Sequence, residues 1–145
     1  PTRSAWRSLS MNNILIDTDV FIDHLRGYRP ATDFLRQVFS GEYSGYISVL
    51  TEMELLAGAM PKKEEKEMIE RLLSRFPSIP VSSAIARKAG QLLRSYRHKG
   101  LAPVDAIIAS TALELKAILV TNNVKHFNQI DGLLTLQPYS KGKPK

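Results

Sequence analysis

The chain contains no cysteine among its 145 residues. Disulfides, a thiolate zinc site and a cysteine nucleophile are thereby excluded, and the composition fits a reducing, cytoplasmic interior. No apolar run approaches the 18 or so residues that a membrane-spanning helix needs, so no membrane partner is expected. Residues 1–10 lack an apolar signal core and precede Met11. They read as an upstream extension or expression scar, with Met11 the expected natural start. Charge of one sign is also scarcer than the net +6 suggests. Arg3 and Arg7 supply two of those charges and Lys141, Lys143 and Lys145 three more, which leaves +1 for residues 11–140. A near-neutral body does not by itself argue for a nucleic-acid partner, and any such argument must come from local charge placement. Internal repeats and low-complexity blocks are absent. The length suits one domain with a real core, expected over residues 11–138, with 139–145 as a basic flexible tail.

Strand and helix patterns alternate along this domain. Residues 13–17 read as a buried strand, and 19–26 as a short helix closed by Gly27. Pro30 opens a second helix to about Phe39. Residues 45–49 read as a strand and 51–59 as a helix. Residues 62–76 form a charged amphipathic helix, with Met68, Ile69, Leu72, Leu73 and Phe76 as its stripe and Glu67–Arg71 as a favourable i,i+4 pair. A third strand is expected at 79–81, then a Ser82-capped helix to about His98, stopped by Gly100. Pro103 starts a helix to Leu115, followed by a strand at 117–121 and an edge strand at 133–136. Such alternation predicts an α/β fold with a mostly parallel sheet of four to five strands, covered on both faces.

Four places put polar groups at strand ends or helix starts. The run Ile14-Leu15-Ile16-Asp17-Thr18-Asp19-Val20 ends an apolar strand on two carboxylates. Ligands of open α/β sheets bind beyond the carboxyl ends of strands, and an acidic pair there suits a hard cation. The structural alternative makes Asp19 a helix cap and Asp17 a turn residue. In Thr51-Glu52-Met53-Glu54, the two acids lie about 200° apart on a helix, so only one can face the first strand's end. Thr51-x-x-Glu54 also spells a capping box, which would explain Glu54 without chemistry. Asp105 occupies the first turn of a strongly apolar helix. It suits the helix dipole there, yet a carboxylate leaning into that environment needs a partner or a metal. Thr121-Asn122-Asn123 follows the fourth strand and can orient a water or a phosphate oxygen, or merely turn the chain.

Together, Asp17, Glu54 and Asp105 fall at corresponding ends of sequentially distant elements. Three carboxylates converging without basic partners require cations, and Mg²⁺ or Mn²⁺, one or two ions, is the expected solution. At this point the sequence resembles the PIN-domain ribonucleases, specifically the VapC-type toxins of toxin–antitoxin pairs. The resemblance rests on "ILIDTDVFIDHLRG", "SVLTEMELLAGA", "PVDAIIASTALELKAILVTNNVKHF" and "IDGL", and runs from about Asn13 to Leu133. It implies a three-layer α/β/α sandwich and metal-dependent cleavage of RNA. Asp17, Glu54 and Asp105 correspond to the family's first three acids, and Asp19 is a supporting ligand. The family commonly has another acid where this chain has Asn123 and, further on, His126. Asn123 could orient the attacking water, while His126 reads as a surface residue. Thr18, Arg26 and Thr121 are the candidate substrate contacts. Arg29 lies nearby, and Arg87, Gln91, Arg94 and His98 mark a polar face of the long helix. A cognate antitoxin protein and a homodimer, formed through the helices between about 30 and 76, are further implications of the resemblance.

Two rival functions are weighed against this reading. Asp17-Thr18-Asp19-Val20 fits the first motif of haloacid-dehalogenase-type phosphatases. That family also needs a later paired-Asp motif, which Asp23, Asp33, Asp105 and Asp131 do not supply. The second rival is a PIN-like domain that binds RNA or a partner without cutting it.

Overall fold

The computed structural model describes residues 12–58 and 63–141. Its centre is the short strand β1, Asn13–Ile16, whose apolar residues alternate between two cores. Ile14 and Ile16 point to one face and Leu15 to the other, as the two-residue period of a strand requires. The same division holds in β4, Ile118–Val120, which pairs with β1 residue for residue from Ile14↔Ile118 to Ile16↔Val120. Ile14 and Leu15 are fully buried, as are all three β4 residues, so from Ile14 onward these strands carry no polar face.

The remaining strands are β2, Ser44–Ser48, β3, Ser78–Ile79, and β5, Thr135–Leu136. The five stand in the order β3-β2-β1-β4-β5, and every pairing is parallel. Parallel neighbours need crossover connections, which the helices supply. One layer contains α1, Thr18–Leu25, α2, Arg29–Gln37, α3, Val49–Gly58, and α4, Lys63–Leu73. It packs Val20, Phe21, Leu35, Leu55 and Ile69 onto the Ile14/Ile16 face. The other layer contains α5, Ser83–Tyr96, α6, Pro103–Leu115, and the short α7, Val124–Phe127. Its Ala106, Ala109 and Ala112 let α6 lie close against Leu15 and Leu119. This is the three-layer α/β/α arrangement expected, with the sheet at five strands and wholly parallel.

Several boundaries differ from the sequence expectation for local reasons. The second helix ends at Gln37, and a wide turn, Val38–Glu42, follows in which Gly41 takes φ +94°. Phe39 thereby leaves the helix and stacks near Phe76, under the Arg75 guanidinium 3.7 Å above its ring. The third helix begins two residues early, at Val49, because the Ser48 hydroxyl accepts the Leu50 N–H and starts it. Ala59 and Lys62, expected at helix ends, lie outside the described residues. Of the expected tail, residues 139–141 are tied down. Tyr139 packs against Tyr28, and its hydroxyl and Lys141 both reach Asp23 of α1. Residues 142–145 lie outside the described residues.

The sheet's side of β2 is tightly filled. A β-carbon on Gly45 would stand 3.0 Å from Val38 Cγ1 and 3.1 Å from Phe76 Cε1. Gly45→Ala is therefore expected to lower unfolding stability by about 1–3 kcal/mol through overpacking. Urea denaturation checks this, and an unchanged midpoint would refute it.

Candidate active site

The strand order creates the site. From β1 the chain steps outward on one side through β2 and β3, then returns to place β4 on the other side of β1. The crevice between the carboxyl ends of β1 and β4 is the point where such sheets bind ligands. Asp17 follows β1 immediately and Thr121 follows β4. The Asp17 N–H donates to the Val120 carbonyl at 2.9 Å, and Thr121 Oγ1 donates to Asp17 Oδ2 at 2.8 Å. Asp17 Oδ1 accepts the Thr18 N–H at 2.9 Å, so Asp17, rather than Asp19, is the N-cap of α1.

Glu54 reaches the same place through a relay of hydroxyls. Thr18 Oγ1 donates to Glu54 Oε1 at 2.7 Å and lies 2.8 Å from Thr51 Oγ1. Since Thr18 gives its proton to the carboxylate, the buried Thr51 hydroxyl is the donor to Thr18. The capping-box reading of Thr51-x-x-Glu54 is thereby corrected. Thr51 lies inside α3, not before it, and Glu54 points to α1 instead of its own N-terminus. Glu52 faces elsewhere and accepts the Ser78 hydroxyl at 2.6 Å, which ties α3 to β3.

Asp105 is held differently. Its Oδ2 accepts the Ala102 N–H at 3.2 Å and His126 Nε2 at 2.9 Å. The expectation that the three acids meet without a basic partner therefore fails at Asp105, and that of a surface role for His126 fails with it. The α7 helix brings His126 back across the start of α6, a closeness of residues 21 apart that no local pattern reveals. Asn123 is exposed, with its N–H donating to Thr121 Oγ1. Its neighbour Asn122, part of the same polar run but not chosen as a site residue, is the one turned inward. The Asn122 N–H donates to Asp19 Oδ2 at 3.0 Å, and its amide reaches Tyr139 and Asp23. Asp23 and Tyr139 were likewise missed. Arg26 is exposed and lines two depressions. One, of about 480 Å³, also touches Asp23, Tyr28 and Lys141, and the other, of about 160 Å³, touches Glu54 and Glu65.

The electrostatics follow from burying like charges together. Burial pushes the Asp17 carboxyl up to about 7, aided by the Asp19 and Glu54 charges and opposed by the Thr121 and Thr18 hydrogen bonds. Asp19 is also raised by burial, although the Asn122 N–H and Lys141 counter this. Two buried acceptors, Asp19 Oδ1 and Asn122 Oδ1, find no donor. Among the described residues no three His, Asp or Glu side chains stand close enough to share one metal ion. The donor chemistry nevertheless fits a hard cation. It consists of anionic oxygens with hydroxyl neighbours, a carboxyl that resists ionisation, and orphaned acceptors at its edge. Asp17 and Glu54 are the pair brought together, while Asp105 stays with His126.

A pH prediction follows for the metal-free protein. The folded chain holds the Asp17 proton up to about pH 7, whereas the unfolded chain releases it near 3.8. Between these values the native state binds more protons, so stability falls as pH rises through the window and levels off above it. Asp17→Asn is expected to flatten this dependence and to be more stable than the parent at pH 8 by roughly 2–4 kcal/mol. Urea titrations at pH 5 and 8 decide it, and equal pH slopes for the two proteins would count against the buried charge.

Comparison with known proteins agrees with this geometry. The family model for the PIN domain matches residues 14–133. Ribonuclease VapC19 of Mycobacterium tuberculosis is 39% identical over 115 residues, which cover 78% of this chain and 90% of that protein. The tRNA(fMet)-specific endonuclease VapC of Shigella flexneri is 31% identical, covering 86% of this chain and 97% of that protein. Among solved structures, a chain of a toxin–antitoxin complex from Klebsiella pneumoniae superposes with a TM-score of 0.73 at 32% identity. That match covers 88% of this chain and 99% of that one.

Proposed function

The chain belongs to the PIN-domain family as a VapC-type ribonuclease of toxin–antitoxin systems, and we propose that it hydrolyses RNA phosphodiesters with Mg²⁺ or Mn²⁺. The observation that carries the metal requirement is the Asp17–Glu54 pair, half-buried at a sheet's switch point, with no basic side chain among the described residues bonded to either. Asp17 and Glu54 would hold the ion or ions, with Asp19 in support, and Asp105 would join as third ligand only by turning from His126, its partner in this structure. When bound, such an ion lowers the pKa of a water, polarises the phosphodiester and steadies the leaving oxygen.

The chain's own residues prepare this chemistry. Thr121 and the Thr18 N–H hold the two oxygens of Asp17 in place, and Thr18 and Thr51 hold Glu54. Such orientation of ligating carboxylates by neighbouring donors raises the precision of a metal site. His126 fixes the Asp105 carboxylate. Exposed Asn123 would orient the attacking water, and exposed Arg26 would meet a phosphate at the rim. A cognate antitoxin protein is the expected partner, supported by the toxin–antitoxin complex that this chain resembles. A homodimer and a cytoplasmic site of action belong to the same reading. Among the described residues no helix is long and apolar enough to cross a membrane.

The test is cleavage of an RNA panel that includes tRNA, with and without EDTA. Wild type should cut only with Mg²⁺ or Mn²⁺. Asp17→Asn should lose at least about 100-fold in kcat/KM, since even residues that merely orient ligands contribute 10–100-fold. It should also lose the rise in melting temperature that Mg²⁺ gives the parent. Binding of RNA without cleavage under both metals would overturn the nuclease reading in favour of a binding domain.

A further inference from the structure

Between Glu70 and Asp105 the chain has no acidic residue, yet it carries Arg87, Lys88, Arg94, Arg97 and Lys99. The structure gathers most of this charge on one side of α5. Ile85, Ala89 and Leu92 are buried against the core, and at 100° per residue Arg87, Gly90, Gln91 and Arg94 fall opposite them. A 3₁₀ turn, Arg97–Lys99, continues the line with Arg97 and His98. Arg87, Gln91, Arg94, Arg97 and His98 are all exposed. Among the described residues none of the three arginines has an acidic partner.

The surface is shaped as well as charged. Gly90, Leu93, Arg94, Arg97 and His98 line an open depression of about 430 Å³. A β-carbon on Gly90 would meet nothing within 4 Å, so its floor is bare backbone. The line also leads to Asp105. Gly100, at φ +95°, closes the turn beside His126, whose Cε1 would lie 3.9 Å from a β-carbon there, and His126 holds Asp105. The Tyr96 hydroxyl accepts the Asp131 N–H at 3.3 Å, joining the same end of α5 to the segment after α7.

We propose that this face of α5 and its 3₁₀ turn binds the sugar–phosphate backbone of RNA and leads the strand to the Asp105 side of the active site. The proposal rests on the ribonuclease reading and adds a second region of substrate contact to it. Guanidinium groups present forked donors that match phosphate oxygens, and Gln91 and His98 add donors and acceptors for sugar hydroxyls. Arg87 and Arg94 lie about 10 Å apart along the helix, a span longer than a single phosphate group. A protein partner would need an apolar centre to its interface. The large hydrophobic side chains that are exposed, Met53, Leu56, Met68 and Val81, all lie outside α5 and its turn.

The experiment uses the whole chain in an Asp17→Asn background, so that labelled single-stranded RNA is bound without being cut. Affinity is measured from low to moderate salt for this parent and for the same protein carrying Arg94→Ala and Arg97→Ala. Each lost phosphate contact should reduce the slope of log affinity against log salt by about 0.7, so the double variant should lose about 1.4. It should also bind at least about fivefold more weakly at the lowest salt, as the loss of two charge-assisted contacts requires. Arg94→Lys with Arg97→Lys retains both charges and should keep the slope. If the lysine pair lost as much as the alanine pair, the change would be structural and the proposal would fail. Equal slopes for parent and alanine variant would overturn it while leaving the cleavage reading intact. Unchanged RNA binding with loss of antitoxin binding would assign the face to a protein instead. Absence of RNA binding by the parent itself would sink this proposal and the ribonuclease reading together.

Discussion

The architecture of this protein turns on the burial of Asp17 at the end of a fully apolar strand. Three residues of β1 bury all of their side chains, and the fourth step of the chain delivers a carboxylate into the crevice they create. The energetic conflict is direct, because a carboxylate moved out of water resists ionisation unless something compensates it. Hydrogen bonds from Thr121 and from the Thr18 amide compensate in part. Thr121 follows β4 and Thr18 opens α1, so the neighbouring strand and one helix layer converge on the same side chain. Glu54 and Asp19 then add like charge where it is least welcome. Such a conflict is the reason this site is proposed to take a divalent cation, whose charge would relieve it.

Around this centre the structure is a set of clamps. The Thr18–Thr51 hydroxyl pair locks α3 to α1 and aims Glu54, while Glu52 on the opposite side anchors α3 to β3. Asn122, Asp23 and Tyr139 form a second polar knot that fastens the residues after β5 over α1, with Lys141 neutralising Asp23. Burial and the hydrogen bond to Asp23 raise the Tyr139 hydroxyl far above its ordinary range, so it stays a donor. The Asp105–His126 pair is a third clamp, between α6 and α7. Each joins residues distant in sequence.

Much of this was legible from the chain. The alternation of apolar runs with amphipathic stretches was enough for a parallel sheet covered on both faces, because parallel strands need crossover helices and tolerate no polar face. The position of Asp17 at the end of an apolar strand was legible too, but its place as the N-cap of α1 was not, since Asp19 was the expected cap. Glu54 was harder. Its capping-box spacing offered a sound local explanation, and only the start of α3 at Val49 removed it. Choosing between Asn122 and Asn123 was beyond sequence, for the direction of each depends on the turn after β4. Tyr139 looked like the start of a tail because its partners, Asp23 and Asn122, lie on elements separated from it by most of the domain or by β5.

The sequence by itself determined which segments are strands and helices and which acids end them. Periodicity and turn chemistry act over a few residues, and neighbouring residues carry that information. Tertiary structure alone decided which of those acids meet and which find other partners. It brought Glu54 to Thr18, gave Asp105 to His126, and turned Asn122 inward while leaving Asn123 exposed. It also decided that the arginines of α5 and the turn after it share one open face, which ends beside His126, the partner of Asp105. Those outcomes depend on the strand order and on the packing of helices over the sheet, through contacts that span tens to more than a hundred residues. A pattern confined to neighbouring residues does not encode the direction from which a distant donor arrives.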